Sequence, residues 1–363
     1  MYLKVWGFIP ITKNQFIIFE TILFIVFFLM TVFLFSYDFP EYIDDPLILF
    51  HAKYLKYVTL ILSFLIVIET QYYLNKFIGK QLNVIQAQKE KIELQKEEIT
   101  QSIKYASRIQ DAVLPPLNKL PQNLDYFIFY KPKDIVSGDF YWFTEKDEKL
   151  CIVAGDCTGH GVPGAFMSIL GISSLNEIIN EVGKNLSTSD ILNALKDRII
   201  GSLQKNEGDV VSEAGMDLAI IIIDKMAQTI EYSGANNPLF IIRKNNTSEP
   251  PENSEITKFE DYELFHIKAD KMPIGIYPIS KSFSNTLFNF IKGDTIYLFS
   301  DGLPDQLGGD YNKKLLIKRF KQGLLKMQGK SLPEQKDILE NFLIKWKMNQ
   351  EQTDDILVIG IRL

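Results

Sequence analysis

Apolar and polar positions follow three successive rhythms along the chain. Phe16 to Phe35 reads FIIFETILFIVFFLMTVFLF, twenty residues broken by one charge, Glu20. At 1.5 Å per residue such a helix spans about 30 Å, the thickness of a bilayer's hydrocarbon. A secretory leader would have a shorter apolar core and a small-residue cleavage site, whereas Ser36-Tyr37-Asp38 follows here. A second run, Tyr57 to Ile68, has twelve uncharged residues. It reaches spanning length if Glu69 snorkels and the helix continues to Leu74, with Tyr54, Tyr57, Tyr72 and Tyr73 as interfacial belts. The alternative is a buried helix of a globular core. The pattern predicts a membrane anchor over residues 1–77, with spans at about 16–36 and 55–74. Acidic residues (Asp38, Glu41, Asp44, Asp45) lie between the runs, and Lys4, Lys13, Lys76 and Lys80 flank their outer ends. By the positive-inside rule this is a multi-pass protein of the cell membrane, its N-terminus and the remainder of the chain cytoplasmic.

The second rhythm is a heptad. From Gln81 to Leu114 the chain is rich in Gln, Glu, Lys and Ile, without Gly or Pro until Pro115-Pro116 ends the helix. Ile85, Ile92, Ile99, Ala106 and Val113 recur every seven residues, and their companions three residues earlier are Leu82, Lys89, Lys96, Ile103 and Gln110. Only half of that seam is apolar. A helical linker over residues 78–114 therefore forms a weak parallel coiled coil, making the chain a homodimer, or stands as a single solvated helix.

The third rhythm is that of short strands and helices over residues 115–363. Strands are predicted at Tyr126–Tyr130, Asp139–Thr144, Leu150–Ala154, Leu218–Ile223, Thr229–Tyr232, Pro238–Arg243, Leu287–Ile291, Asp294–Phe299 and Ile356–Arg362. Helices are predicted at Pro163–Asn180, Ser189–Gln204, Lys313–Lys326 and Pro333–Trp346. Neighbouring strands joined by short turns favour antiparallel sheets covered by helices, an α/β (α+β) class of fold. Asn245 to Ser254 reads as a polar surface loop.

Charge narrows the partners. The net charge is −6, and residues 1–114 hold eleven basic and eleven acidic residues, so the whole excess lies in residues 115–363. No basic field exists to hold nucleic acid. Two cysteines, Cys151 and Cys157, and three scattered histidines exclude a disulfide framework and a four-cysteine zinc site. Carboxylates are left as the plentiful metal ligands, and they suit hard cations. Four aspartates sit where predicted strands end: Asp139 in SGDF, Asp156 in AGDC, Asp301 in FSDGL and Asp354 in QTDDI. Each alone reads equally well as a turn or helix cap. Converging, they would repel one another and raise their pKa values unless a divalent cation neutralised them.

The series SGDFYW (137–142), GDCTGHG (155–161), SDG (300–302) and TDDI (353–356) resembles the SpoIIE-type branch of the metal-dependent PP2C protein phosphatases. YSGANNP (232–238) and MPIG (272–275) are similar to the same branch. The resemblance covers about residues 120–363 and implies a PP2C-like antiparallel β-sandwich flanked by helices, here preceded by two transmembrane helices and a coiled-coil linker helix. It implies two Mn²⁺ or Mg²⁺ ions, with room for a third, and hydrolysis of phosphoserine or phosphothreonine on a protein, often an anti-sigma-factor antagonist of the STAS type. Carried over, Asp156 bridges two metals, the Cys157 carbonyl binds one, and Asp139, Asp301 and Asp354 complete the set. Asp355 ranks second. Water activated by the cations attacks phosphorus with no covalent phosphoenzyme, so neither Cys157 nor Ser300 is a nucleophile.

Some features depart from the pattern. The wider family grips phosphate with an upstream Arg, whereas the nearest basic residues here are Lys131 and Lys133. His160 follows Asp156 by four positions rather than two, which leaves open a general-acid role or a solvent-facing loop position. Asp217 approaches a third metal or caps a turn. Two other readings compete with catalysis by metal. Gly159, Gly161 and Gly164 fit GxGxxG with Glu181 beyond them, a dinucleotide fingerprint lacking its βαβ context. A membrane-tethered pseudophosphatase that only binds a partner is the other, and retention of all four aspartates argues against it.

Overall fold

The computed structural model describes residues 25, 26, 28, 29, 32, 33, 36, 45–146, 148–182, 187–203, 214–245, 250–252, 254–278 and 281–363. Most of the first predicted span, its flanking Lys4 and Lys13, and Asp38, Glu41 and Asp44 lie outside the described residues. Part of the polar loop predicted at Asn245–Ser254 does too. The chain divides between Glu97 and Glu98 into two compact units. The main element of the first is helix α1 (Pro46–Val113), whose final turns belong to the second unit. Over the predicted span its Leu60, Ile61, Leu62, Phe64, Leu65, Ile66 and Ile68 are all exposed, an apolar surface that covers about two thirds of the helix circumference.

The second unit opens with a 3₁₀ turn (Leu117–Lys119) and then alternates strands and helices. These are β1 (Asp125–Lys131), β2 (Phe140–Lys146), β3 (Lys149–Cys157), α2 (Gly161–Val182), α3 (Thr188–Leu203), β4 (Gly215–Asp224), β5 (Thr229–Ala235) and β6 (Leu239–Lys244). There follow β7 (Glu255–Phe259), β8 (Tyr262–Ile267), β9 (Ile274–Gly275), β10 (Thr286–Asn289), β11 (Thr295–Phe299) and the single turn α4 (Gly302–Asp305). The chain ends with β12 (Leu307–Gly308), β13 (Lys313–Lys314), α5 (Ile317–Lys326), α6 (Leu332–Lys347) and β14 (Ile356–Arg362).

Two antiparallel sheets face each other, one ordered β1-β14-β11-β6-β8-β7, the other β10-β5-β4-β3-β2 with β9 on β4. The period of two decides what each strand residue covers. In β3, Leu150, Ile152 and Ala154 join Ile221, Ile223, Leu298 and Ile359 between the sheets. The alternate Cys151, Val153 and Cys157 turn outward to α2 and α3, packing with Ile172, Leu175, Leu192 and Leu195. In the other sheet Tyr297, Phe299, Ile356 and Val358 turn outward to Phe320 and Leu324 of α5 and Leu339 and Leu343 of α6. Both faces of each sheet are thereby buried, and the strands read as nearly unbroken apolar runs.

Three sequence expectations change. Five strands were not predicted: the two-residue β9, β12 and β13, and β7 and β8, which form a hairpin whose edge member is mostly exposed and so carries no apolar alternation. The helix predicted from Lys313 begins at Ile317, because Lys313 and Lys314 pair with Leu307 and Gly308. Asp139 and Asp354 precede β2 and β14 rather than ending strands. This last difference explains the site. Antiparallel partners enter and leave at the same edge, so the start of β2 lies beside the end of β3 (Phe140 opposite Gly155), and the end of β11 beside the start of β14 (Phe299 opposite Val358). Asp139, Asp156, Asp301 and Asp354 are thereby delivered to one rim of the sandwich.

Candidate metal centre

At that rim the two sheets are tied together by consecutive residues following β11. The Ser300 hydroxyl donates to Asp139 Oδ2 at 2.6 Å, and the backbone N–H of Asp301 bonds the Asp156 carboxylate. Ser300 Oγ also accepts the Leu357 N–H at 3.0 Å, which fixes the hydroxyl between β11 and β14. Asp139 is almost wholly buried, Asp156 and Asp354 are half-buried, and Asp301 stands at the exposed rim. Asp156 lies opposite Asp217 across β3 and β4, and Asn236 donates to Asp217 Oδ1 at 2.8 Å.

The electrostatics follow from this crowding. Burial first, then the Asp156 charge, pushes Asp139 well above the usual carboxylate range, although the Ser300 hydrogen bond opposes the shift. Asp156 is raised likewise by burial and by Asp301, Asp217 and Asp354. Asp301 is pushed up to about 6 by burial, Asp305 and Asp354, with Lys314 acting the other way. Burial also raises Asp217. These are carboxylates gathered at one rim, where among the groups that shift them Lys314 beside Asp301 is the one basic side chain. That donor set fits a hard divalent cation, which supplies the missing positive charge and accepts oxygen ligands. Among the described residues no three His, Cys, Asp or Glu side chains already stand closely enough to hold a metal ion as a cage. Magnesium-like ions do not require one, since they keep several waters and take one or two carboxylates.

Asp355 of the predicted set has other employment. Both oxygens of Asp355 accept backbone N–H groups, from Lys133 and from Gly138, each at 2.7 Å. The side chain, 3% exposed, thus clamps the loop that leads to Asp139. Lys133 reaches the cluster through its backbone, and Lys131 is a strand residue opposite Ile356. Cys157 is buried in the core against α2, and burial followed by the Asp156 charge pushes its thiol far above the ordinary range, which leaves its backbone oxygen as the group on offer. His160 Nδ1 pairs with Asp134 Oδ2 at 2.9 Å, both side chains about half exposed.

The glycine-rich loop has a packing explanation. Gly159 and Gly161 have φ of 82° and 67°, where a side chain is strained. A Cβ on Gly138 would stand 2.7 Å from the Gly159 carbonyl, so the two loops touch backbone to backbone. The strands on either side of α2 and α3, β3 and β4, are antiparallel neighbours rather than a parallel crossover. The dinucleotide reading falls with that pairing.

Residues 146–363 match the model of the family described as Stage II sporulation protein E (SpoIIE). The chain belongs to the SpoIIE family. Among curated proteins, phosphoserine phosphatase RsbU of Bacillus subtilis (strain 168) is 26% identical over 213 residues, 58% of this chain and 55% of RsbU. The match thus spans about half the length of that relative. Among solved structures, the SiaA-PP2C domain of Pseudomonas aeruginosa is 28% identical with a TM-score of 0.62, covering 74% of this chain and 98% of that domain. The PP2C phosphatase domain of SpoIIE from Bacillus subtilis, with a fragment of its regulatory domain, is 20% identical with a TM-score of 0.49, over 66% of this chain and 61% of that one. The likeness to the SiaA-PP2C domain makes the antiparallel sheets and helices described above a PP2C-like α/β fold.

Sequence reasoning missed the partners that hold these aspartates. Ser137 and Ser300 stand inside the recognised motifs yet read only as flanking residues. Gln110, 3% exposed, read as a poor seam position, and a polar residue at a regular helix-face position was the one available signal.

Proposed function

We propose that the chain is a membrane-anchored, divalent-metal-dependent protein serine/threonine phosphatase, acting on a phosphorylated regulatory protein in bacterial signalling. The observation that carries the reading is the convergence of Asp139 and Asp156 from one sheet with Asp301 and Asp354 from the other, bridged by Ser300 and the Asp301 amide. Family membership and the phosphoserine phosphatase RsbU support it. Asp156, central in the cluster, would hold both cations, with Asp139, Asp301, Asp354 and the Cys157 carbonyl completing their ligands. Asp355 contributes by holding the loop before Asp139 in place. Bound Mn²⁺ or Mg²⁺ would supply the acidity that generates a nucleophile from water and the charge that stabilises the phosphoryl transition state. The chain's own work is to fix the carboxylates, and the buried Cys157 thiol takes no part in covalent chemistry. A STAS-domain protein is the substrate class we favour, by the family resemblance.

The anchor is supported by the broad apolar exposure of α1 between Tyr57 and Ile68, which suits lipid rather than water. The exposed seam Ile85, Ile92 and Ile99 supports a homodimer through the same helix. The test is hydrolysis of a phosphoserine peptide by the full-length chain in detergent. Turnover is expected with Mn²⁺ or Mg²⁺ and none in excess chelator. Full activity in chelator would overturn the mechanism, and tight cation binding without turnover would favour the pseudophosphatase.

A further inference from the structure

The last turns of α1, from Glu98 onward, belong to the second unit, and from Ile103 their seam positions turn inward. Ile103, Ala106 and Val113 are half-buried, Leu114 packs in the core with Phe140 and Trp142, and Gln110 is buried. The Gln110 amide uses every polar function it has. Its Nε2 donates to the Ser137 carbonyl at 2.6 Å and to Ser168 Oγ of α2 at 2.8 Å, while Oε1 accepts the Ser137 N–H at 3.1 Å. The bonds continue to Asp139, whose N–H donates to Ser137 Oγ at 3.0 Å and whose carbonyl accepts from the Tyr130 hydroxyl at 3.2 Å. The three consecutive backbone N–H groups of Ser137, Gly138 and Asp139 are therefore all satisfied, by Gln110, Asp355 and Ser137 in turn. The Gly138 backbone also lies close against the Gly159 carbonyl, 2.7 Å from where a Cβ would stand.

We infer that Gln110 is a positioning residue for the metal centre: from the linker helix it sets the loop that presents the Asp139 carboxylate, and cation affinity depends on it. A purely structural glutamine would stabilise the fold at large and leave the cation indifferent. Gln110 differs because both ends of its amide grip one residue, Ser137, two positions before a ligand. Groups that orient a ligand typically alter metal affinity by about 10- to 100-fold when removed. The inference rests on the metallophosphatase reading.

The test compares full-length wild type, Gln110→Ala and Gln335→Ala in detergent, reading free Mn²⁺ by electron paramagnetic resonance during titration and the melting temperature in chelator. Gln335 is equally buried in α6 and accepts from Tyr297 at 2.6 Å, remote from the rim, so it controls for loss of a buried amide. Gln110→Ala is expected to weaken Mn²⁺ binding about tenfold. Gln335→Ala is expected to lower the melting temperature and leave Mn²⁺ affinity unchanged. Should Gln110→Ala not accumulate, Ser168→Ala, which removes one acceptor, is expected to shift affinity in the same direction by a smaller factor. Wild-type Mn²⁺ affinity in Gln110→Ala, or in Ser168→Ala where that stands in, overturns the inference. A wild-type chain that binds no Mn²⁺ overturns the metallophosphatase reading and this inference with it.

Discussion

Asp139, Asp156 and Asp301 share one physical situation, negative charges crowded together at one rim, the first two largely buried and the third eased only by Lys314. Removing one charge therefore relieves the protein and disables the site. Asp156→Asn or Asp301→Asn should fold at least as well as wild type in chelator, yet lose at least about a hundredfold in kcat/KM, the scale of losing a principal electrostatic stabiliser. Cys157→Ala should retain activity, since its carbonyl alone is enlisted; an equal loss there would mean the side chain had been misread. The same repulsion sets a pH dependence. Asp301 has its folded pKa raised from 3.8 to about 6, so its protonated form is the one the fold prefers. Its stabilising contribution is full below the unfolded value and disappears as pH rises through about 6. In chelator the melting temperature should fall between pH 5 and pH 7.5, and Mn²⁺, which displaces the proton, should raise it more at the higher pH. Equal Mn²⁺ stabilisation at both would contradict this. Asp139, Asp156 and Asp301 were legible in the sequence because a carboxylate beside Gly next to an apolar strand is a local signal, and Asp354 was legible through the TDDI motif before the last strand. Ser300, Gln110 and the clamping role of Asp355 were not, because their partners lie 161, 27 and 217 residues away.

Elements were legible where burial imposes a period. The predicted strands of the central sheets fall within a few residues of the observed ones because each places alternate residues in two cores, as Leu357 and Ile359 face inward while Ile356 and Val358 face α6. The hairpin β7–β8 escaped because Glu255, Ile256 and Lys258 of its edge strand are exposed. Lys313 looked helical because its basic and apolar spacing continues into α5, and only pairing with Gly308 makes it a strand. The start of α6, in contrast, carries its own signal. Ser331 accepts the Glu334 N–H while Glu334 returns a bond to the Ser331 N–H at 2.9 Å, a reciprocal capping box followed by Pro333 in the first turn. Ser331→Ala should cost about 1 kcal/mol of stability, typical of a lost N-cap. Because α6 packs on the sheet's outer face, phosphatase activity at 25 °C should be unchanged. Denaturant titration beside a kinetic assay checks both, and a fall in kcat at full folding would tie α6 to the rim.

At the scale of the whole molecule, the heptad divides into two parts with different partners. Ile103, Ala106, Gln110 and Val113 are taken up within the chain, whereas Ile85, Ile92 and Ile99 are 58%, 63% and 61% exposed. Three isoleucines at seven-residue spacing, left in water on a helix rich in Gln, Glu and Lys, are what a second copy would cover. Lys89 and Lys96 at the companion positions keep such an interface weak, which suits an assembly that relies on membrane confinement to raise its local concentration. Replacing Ile92 and Ile99 together by Asn removes four buried side chains per dimer. At about 1.5 to 3 kcal/mol for each isoleucine buried, the association constant should fall by at least about a hundredfold. Sedimentation of the full-length chain in detergent measures this directly. The variant should leave Mn²⁺ affinity at the rim untouched, because neither residue belongs to the group around Gln110. If the double variant retains the wild-type mass distribution, this stretch of α1 is a solvated spacer and the homodimer must be sought on another surface.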